Sequence, residues 1–197
     1  MIPLTLASGS ATRAAILRGA GVDFEVVAPP IDENALKAAL LAAGGTPPSV
    51  AADLAVAKAC AVSRSCPGLV IGADQTLELD GVLGDKAPDM GAARARLTAL
   101  RGRVHGLHAA VAVARDGAAV WRHVSTASLI ARRFSEAFLE AYLARAGGAI
   151  LASVGCYQIE GLGAQLFERI DGDYFAILGL PLFELLAFLR RQDAILV

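Results

Sequence analysis

The chain has 197 residues, of which 55% are hydrophobic and 19% are charged, so it can bury a large apolar core without disulfide staples. Its 18 basic and 19 acidic side chains leave a formal net charge of -1, which gives no general electrostatic reason to bind nucleic acid or an anionic membrane. Three cysteines without a C-x-x-C spacing indicate neither a disulfide framework nor a zinc site.

Predicted elements in the first half of the chain alternate between strand and helix. Apolar runs predict strands at residues 3–7, 23–28 and 69–77. Helix signals predict helices at residues 11–18, between Asn34 and Gly44, and at residues 50–64. Ser8 or Ser10 is the expected cap of the first helix, and Asp80-Gly81 is typical of a tight hairpin turn.

The second half combines helices with a hairpin. Asp89 and Ser135 are the expected caps of helices that end near residues 100 and 145. Two β-rich runs, 104–114 and 119–130, predict an antiparallel hairpin, and a further strand is predicted at 165–170. Because hairpins interrupt the alternation of helices and strands, we predict an α/β fold with a mixed sheet rather than a wholly parallel one.

The stretch from residue 174 to 189 is the most apolar part of the sequence. It contains Gly179, Pro181 and Glu184, and it is shorter than the roughly 18 to 20 residues that a membrane-spanning helix needs. We interpret it as a buried strand followed by a core helix that starts at Pro181. The N-terminal residues lack the basic region of a secretory signal, so we expect a cytoplasmic protein without a membrane partner.

A candidate anion site lies where the first strand meets the first helix. Ser8, Gly9 and Ser10 form a short turn before a helix N-terminus, whose free N–H groups and dipole attract negative charge. Arg13, in the first turn, adds a fork of donors that suits phosphate oxygens. The alternative is an ordinary capped helix with a surface arginine.

Acidic and basic side chains follow at three further places. Asp32-Glu33, after a double proline, is a candidate site for Mg2+ or Mn2+, or simply the acidic start of a helix. Lys58 lies on an otherwise apolar helix face and is either a snorkelling side chain or a phosphate partner. Asp74, after an apolar strand run, is a candidate general base or metal ligand at the rim of the sheet, and Lys86 lies in a loop from which it can reach a phosphate.

The histidines and a late glycine-rich segment carry weaker signals. His105 and His108 point to opposite strand faces and cannot form a paired metal site, so we interpret His108 as structural and His105 as support for a loop. Residues 155–163 contain three glycines around the single acid Glu160, which is placed to read a base edge or simply lies in a turn.

Six separated motifs occur in an order that resembles the Maf family of nucleoside triphosphate pyrophosphatases: LASGSATRAAIL, IDE, AVAKA, VIGADQT with LGDKAPD, LRGRVH, and GCYQIEGLGAQLFERIDGDYFAILGLPL. The resemblance runs from residue 4 to about residue 190. It implies one domain over residues 1–197, with an elongated mixed α/β fold similar to inosine triphosphate pyrophosphatases. It also implies a cytoplasmic, often dimeric enzyme that uses Mg2+ or Mn2+ to hydrolyse a nucleoside triphosphate to its monophosphate and pyrophosphate.

The same resemblance assigns roles to residues. It places the proton acceptor at Asp74, with Lys58, Glu33 and Lys86 as catalytic partners. Ser8, Ser10 and Arg13 are then expected to bind the substrate, and Glu33 and Asp74 to hold the metal. No nucleic acid partner is expected.

Three positions, Thr12, Gln75 and Glu160, track substrate choice in the family. The branch that acts on dTTP and UTP reads S-P-R-R, A-D-T and I-Q-G there, whereas this chain reads A-T-R, A-D-Q and I-E-G. That pattern and the LFERI motif are similar to the branch that hydrolyses 7-methyl-GTP, although Thr12 matches neither branch. A carboxylate at Glu160 suits the adjacent N–H donors of guanine and the positive charge of a 7-methylated ring, and Tyr157 or Phe167 is a candidate to stack on that ring.

The favoured prediction is therefore a house-cleaning pyrophosphatase that removes 7-methyl-GTP from the nucleotide pool. The first alternative is a dTTP/UTP pyrophosphatase of the same family. The second is a nucleotide-binding regulator of septum formation in cell division, for which hydrolysis is incidental.

Overall fold

The computed structural model describes residues 2–196. The predicted domain also includes Met1 and Val197, which lie outside the described residues. The strands are β1 (Leu4–Ala7), β2 (Glu25–Val26), β3 (Leu69–Leu79), β4 (Val82–Gly84), β5 (Val104–Arg115), β6 (Ala118–Ala131) and β7 (Phe167–Asp171). The α-helices are α1 (Ala11–Gly19), α2 (Glu33–Ala42), α3 (Pro47–Ser63), α4 (Met90–Leu100), α5 (Glu136–Ala146), α6 (Tyr174–Ile177) and α7 (Leu182–Arg191). Two 3-10 segments cover Gly147–Ala152 and Leu162–Leu166.

All of these strands belong to one mixed sheet in the order β2-β1-β3-β5-β6-β7, with β4 paired to the end of β3. Strand β1 runs parallel to β2 and β3, and the other pairs are antiparallel. The long β5–β6 hairpin turns at Asp116 and Gly117, whose φ angles of 53° and 81° suit the tight turns of twisted hairpins. The predicted mixed α/β fold is therefore confirmed.

Helix α3 packs on the middle of the sheet through small side chains. The buried residues at this contact are alanines from α3 and β5, namely Ala51, Ala52, Ala55, Ala59, Ala110, Ala112 and Ala114. On β3, a Cβ atom at Gly72 would lie 2.2 Å from the Ala55 carbonyl oxygen and 2.7 Å from the Ala59 nitrogen. Glycine at this position therefore brings the backbone of α3 into contact with β3.

Two larger apolar clusters complete the core. One joins α1 and α7 to β1 and β3 and includes the fully buried Leu6, Leu17 and Leu189. The other packs α4 and α5 against β3, β5 and β6 and includes Leu97 and Leu139. Burial of these side chains supplies the main favourable free energy of folding.

Two predicted strands differ from the structure. The strand predicted at residues 23–28 is reduced to Glu25–Val26, and the double proline that follows lacks the N–H groups needed to extend it. The strand predicted at the start of the 174–189 stretch is wrong: that segment forms the single turn of α6, capped by the Asp173 side chain, which accepts from the Ala176 nitrogen at 2.8 Å. Gly179, at φ 103°, then separates α6 from α7. Across residues 2–196, no helix is both long and apolar enough to cross a bilayer.

Candidate active site

One cleft of about 1380 Å3 collects the side chains that the sequence singles out. They come from the β1–α1 turn, α1, α2, α3, β3, the β4–α4 loop and the loop before the second 3-10 segment. The structure places all ten of the predicted site residues on its walls, namely Ser8, Ser10, Thr12, Arg13, Glu33, Lys58, Asp74, Gln75, Lys86 and Glu160.

Asp74 lies in the middle of β3, not at its end as the sequence suggested. The parallel pairing of β1 with β3 stops at Ala7 and Gly72, whereas β3 continues to Leu79. Asp74 therefore stands just beyond the last residue of β1, beside the turn that leads into α1. The carboxylate reaches the rim of the sheet because its neighbouring strand ends there.

Lys58 joins two carboxylates from different elements. Its Nζ atom lies 2.6 Å from Asp74 Oδ1 and 2.6 Å from Glu33 Oε2. The Lys58 side chain is 5% exposed and that of Asp74 13%, whereas Glu33, the first residue of α2, is 46% exposed. A nearly buried ammonium needs such partners, so the apolar face of α3 carries a cation that holds the base candidate in place.

Arg13 is fixed by oxygens of the protein itself. Its Nε donates to the Gly179 carbonyl at 2.8 Å, and Nη1 donates to the Ala73 carbonyl at 3.0 Å and to Ser8 Oγ at 3.4 Å. Burial lowers the pKa of the guanidinium from its usual value, and the carboxylate of Asp74 opposes that shift. Within residues 2–196 these contacts leave Nη2 as the nitrogen without a protein acceptor, so less of the guanidinium is available to a ligand than the sequence suggested.

The β1–α1 turn has the predicted cap. The Ser10 side chain accepts from the Arg13 nitrogen at 3.3 Å, and the buried Ser8 hydroxyl accepts from the Ser10 nitrogen at 3.2 Å. Thr12 lies in the first turn of α1 and is partly exposed to the cleft.

Gln75 points to the face of β3 opposite Asp74, because side chains alternate along a strand. Its Nε2 donates to the Ala176 and Ile177 carbonyls at 3.0 and 2.9 Å. Both N–H groups of the amide are therefore occupied, and the Oε1 atom remains as an acceptor.

The loop that carries Glu160 is held by side chains from two helices. Arg96 Nη1 of α4 donates to the Val154 carbonyl at 2.8 Å, and the Tyr142 hydroxyl of α5 donates to the Cys156 carbonyl at 3.1 Å. Cys156 itself has a φ of 58°, in the left-handed region that non-glycine residues rarely occupy. Glu160 follows as an exposed side chain at the edge of the cleft.

His105 supports this loop, as the sequence suggested. Its Nε2 lies 2.8 Å from the Tyr157 hydroxyl, and both side chains are buried. Burial, reinforced by Arg96, lowers the pKa of His105 to about 4, and burial raises the pKa of Tyr157 above its usual range. His108 is buried against Glu78 and matches its predicted structural role.

Lys37 and Asp85 also line the cleft, although no pattern in the sequence selects them as site residues. They form an ion pair between α2 and the loop that carries Lys86. Lys37 lies four residues after Glu33, so the two side chains share a face of α2, and that spacing is the signal that identifies Lys37 in retrospect.

Within the described residues, the cleft offers two carboxylates, rather than a complete ligand set, to a divalent cation. No group of three or more His, Cys, Asp and Glu side chains converges as a metal cluster in the described part of the chain. Asp32 is used as the cap of α2, so Glu33 and Asp74 are the converging carboxylates. Each contacts Lys58 through one oxygen, which leaves Oε1 of Glu33 and Oδ2 of Asp74 for a cation. Mg2+ commonly binds one or two carboxylates together with substrate phosphates, and this donor pair fits that pattern.

Comparison with known proteins agrees with the order of the motifs. The family model described as Maf-like protein matches residues 3–192. A nucleoside triphosphate pyrophosphatase of Caulobacter vibrioides is 56% identical over 197 residues, which cover 100% of this chain and 99% of the relative. Proteins named 7-methyl-GTP pyrophosphatase are 50% identical in Brucella abortus, over 98% of both chains, and 51% identical in Mesorhizobium japonicum, over 98% of this chain and 97% of the relative. The chain belongs to the Maf family.

Proposed function

We propose that this chain hydrolyses a nucleoside triphosphate to a nucleoside monophosphate and pyrophosphate. The observation that carries the proposal is the contact of Lys58 with Asp74 and Glu33 on the wall of a large cleft. The cleft exceeds the roughly 300 to 1,000 Å3 of an ordinary small-molecule site, so a whole nucleotide fits into it. The name of the relative from Caulobacter vibrioides supports the same reaction.

The reaction requires a water oxygen to attack the α-phosphorus while the bond from that phosphorus to the bridging oxygen of the β-phosphate breaks. Asp74 accepts the proton of the attacking water, and the electron pair of the broken bond leaves with pyrophosphate. Lys58 orients the Asp74 carboxylate through its 2.6 Å contact. Arg13 Nη2 and Lys86 offset the charge of the phosphates. A divalent cation, held by Glu33 and Asp74, supplies Lewis-acid charge at the phosphates when it is bound.

Asp74→Asn tests the base directly. The amide occupies the same volume but cannot accept the proton, so we expect pyrophosphate release to fall by roughly 100-fold or more. The matched control is Asp53→Asn, a half-exposed position of α3 that faces Arg122 and lies outside the cleft; it should keep its turnover. Full turnover in Asp74→Asn would overturn the mechanism. Assays with Mg2+ or Mn2+, and with both removed by a chelator, test the cofactor.

We further propose 7-methyl-GTP as the favoured substrate. Glu160 offers a carboxylate and Gln75 an acceptor oxygen, which suit a base that presents adjacent N–H donors and carries a positive charge. Uracil and thymine present one N–H between two carbonyl groups, and a carboxylate repels the oxygens of those carbonyls. The relatives from Brucella abortus and Mesorhizobium japonicum carry the matching name.

A substrate panel of 7-methyl-GTP, GTP, dTTP and UTP tests this choice. The ratio of kcat/KM for 7-methyl-GTP to that for UTP should fall by roughly tenfold in Glu160→Gln, the scale of one lost bidentate base contact. Glu25→Gln on β2 is the control, because this exposed side chain is outside the cleft. A wild-type preference for dTTP or UTP would instead favour the pyrimidine branch, and nucleotide binding without turnover would favour the septum regulator.

The organisation of the protein around this activity is also a proposal. A single domain over residues 1–197, a homodimer and a cytoplasmic location are implied by the family resemblance and stay predictions.

A further inference from the structure

Charge is closely balanced along the walls of the cleft. Four cationic side chains line it, namely Arg13, Lys37, Lys58 and Lys86. Five acidic side chains line it as well, namely Asp32, Glu33, Asp74, Asp85 and Glu160. A polyphosphate entering this cleft therefore meets five acids and four bases among the described residues. The partners that each cation already has decide which cations can bind it.

Lys37 differs from the other cations in the kind of partner it has. Its side chain is 14% exposed, and its ammonium contacts Asp85 of the β4–α4 loop, whose side chain is 61% exposed. Lys58, in contrast, is held by Asp74, which is 13% exposed, and by Glu33. Among Asp74, Glu33 and Asp85, the acid that contacts Lys37 is thus the one most exposed to solvent.

An exposed ion pair is easily exchanged. Its attraction is weakened by water and salt, and the carboxylate regains full hydration when it leaves. A phosphate group carries more negative charge than a carboxylate and offers more acceptor oxygens. Lys37 can therefore give up Asp85 for a phosphate, whereas Lys58 cannot leave its carboxylates without stranding a nearly buried charge.

We propose that Lys37 is a further phosphate-binding residue of this cleft and that Asp85 is its counter-ion until the nucleotide arrives. This inference rests on the proposed function, because it assigns a contact to the same substrate. A phosphate oxygen takes the place of the Asp85 carboxylate on the Lys37 ammonium, and Asp85 turns to solvent. Asp85 thereby competes with the substrate and lowers its apparent affinity.

Two substitutions with opposite effects test the proposal. Lys37→Met should raise KM for the triphosphate by roughly tenfold with a smaller change in kcat, since a contact made in both ground and transition states is lost. Asp85→Asn should lower KM by about threefold, because Lys37 is freed. Lys37→Met/Asp85→Asn should behave as Lys37→Met, and Lys37→Arg should recover most of the affinity. If Asp85→Asn raises KM as Lys37→Met does, the pair only positions the Lys86 loop and the proposal fails.

Direct binding separates this inference from the proposed reaction. Calorimetry with inorganic tripolyphosphate measures the phosphate contact without turnover, and Lys37→Met should weaken that binding by roughly tenfold. Glu140→Gln, at a surface pair with Arg94 outside the cleft, should leave it unchanged. Equal binding by wild type and Lys37→Met would overturn the role of Lys37 and leave the hydrolase proposal standing. Weakened binding in a protein that cleaves no nucleoside triphosphate would support Lys37 and refute the hydrolase. Asp85→Asn keeps Lys37 in place, so the test holds even if Lys37→Met does not fold.

Discussion

Replacing Gly72 by alanine tests the backbone contact that brings α3 to β3. The new methyl group would lie 2.2 Å from the Ala55 carbonyl oxygen, and an ordinary contact begins at 3.4 Å. Helix α3 must therefore retreat by roughly 1.2 Å, which would stretch the 2.6 Å contact between Lys58 and Asp74 to roughly 3.8 Å, beyond hydrogen-bond length. We expect a loss of about 3 kcal/mol in the free energy of unfolding, the upper end of overpacking costs, because backbone atoms cannot move aside.

Urea unfolding followed by circular dichroism measures the stability of Gly72→Ala, and pyrophosphate release measures its turnover. A displacement of about 1 Å between catalytic groups can cost roughly 100-fold in rate. Gly148→Ala is the matched control, since no atom lies within 4 Å of its added Cβ and its φ is ordinary; its stability should change by less than about 0.5 kcal/mol. If Gly72→Ala is also within about 0.5 kcal/mol of wild type and keeps its turnover, the backbone contact does not set the Lys58–Asp74 distance.

Two further predictions concern buried charge and pH. Lys58→Met leaves the carboxylates of Asp74 and Glu33 without their shared cation. We therefore expect turnover to be lost and the free energy of unfolding, measured in urea, to fall by roughly 1 to 3 kcal/mol. Unchanged turnover would refute the role of Lys58. Burial lowers the pKa of His105 to about 4 from 6.5, so between those values the unfolded chain binds a proton that the folded chain does not. The stability contribution is complete above about pH 6.5 and falls by roughly 3 kcal/mol as the pH drops to about 4. In urea unfolding curves at pH 4.5 and 7, His105→Gln should reduce the difference in the free energy of unfolding between the two pH values. If that difference is unchanged in His105→Gln, or is lost in the control His123→Gln, His105 is not its source.

Helix starts were predictable because their signals are local. Ser10, Asp89 and Ser135 cap the helices that the sequence assigns to them, and each accepts a hydrogen bond from a nitrogen three residues later. The segment at 174–177 was not predictable in the same way. A short apolar run fits a strand or a buried helix equally well, and the cap at Asp173 decides between them.

The members of the site were predictable, but their contacts were not. Motif order selects Lys58 and Asp74, whereas their 2.6 Å contact depends on the packing of α3 against the sheet. Arg13 donates to the carbonyl of Gly179, 166 residues later in the chain, and no local pattern encodes such a partner. Lys37 was missed because its role depends on Asp85, which the fold brings from another loop.

The pairing of β3 with β5 decides which way the side chains of Asp74 and Gln75 point, in addition to stabilising the sheet. In the observed register Asp74 pairs with Ala110 and Gln75 with Ala109, so the acid faces the ammonium of α3 and the amide faces the carbonyls of α6. A slip of one residue would exchange the two faces, because side chains alternate along a strand. The carboxylate would then meet carbonyl oxygens that cannot donate a hydrogen bond, and the Lys58 ammonium would meet a neutral amide that cannot accept a proton from water. Correct strand registration is thus a condition for the proposed base, and a misregistered sheet would lose the Lys58–Asp74 contact even with every residue of the sequence unchanged.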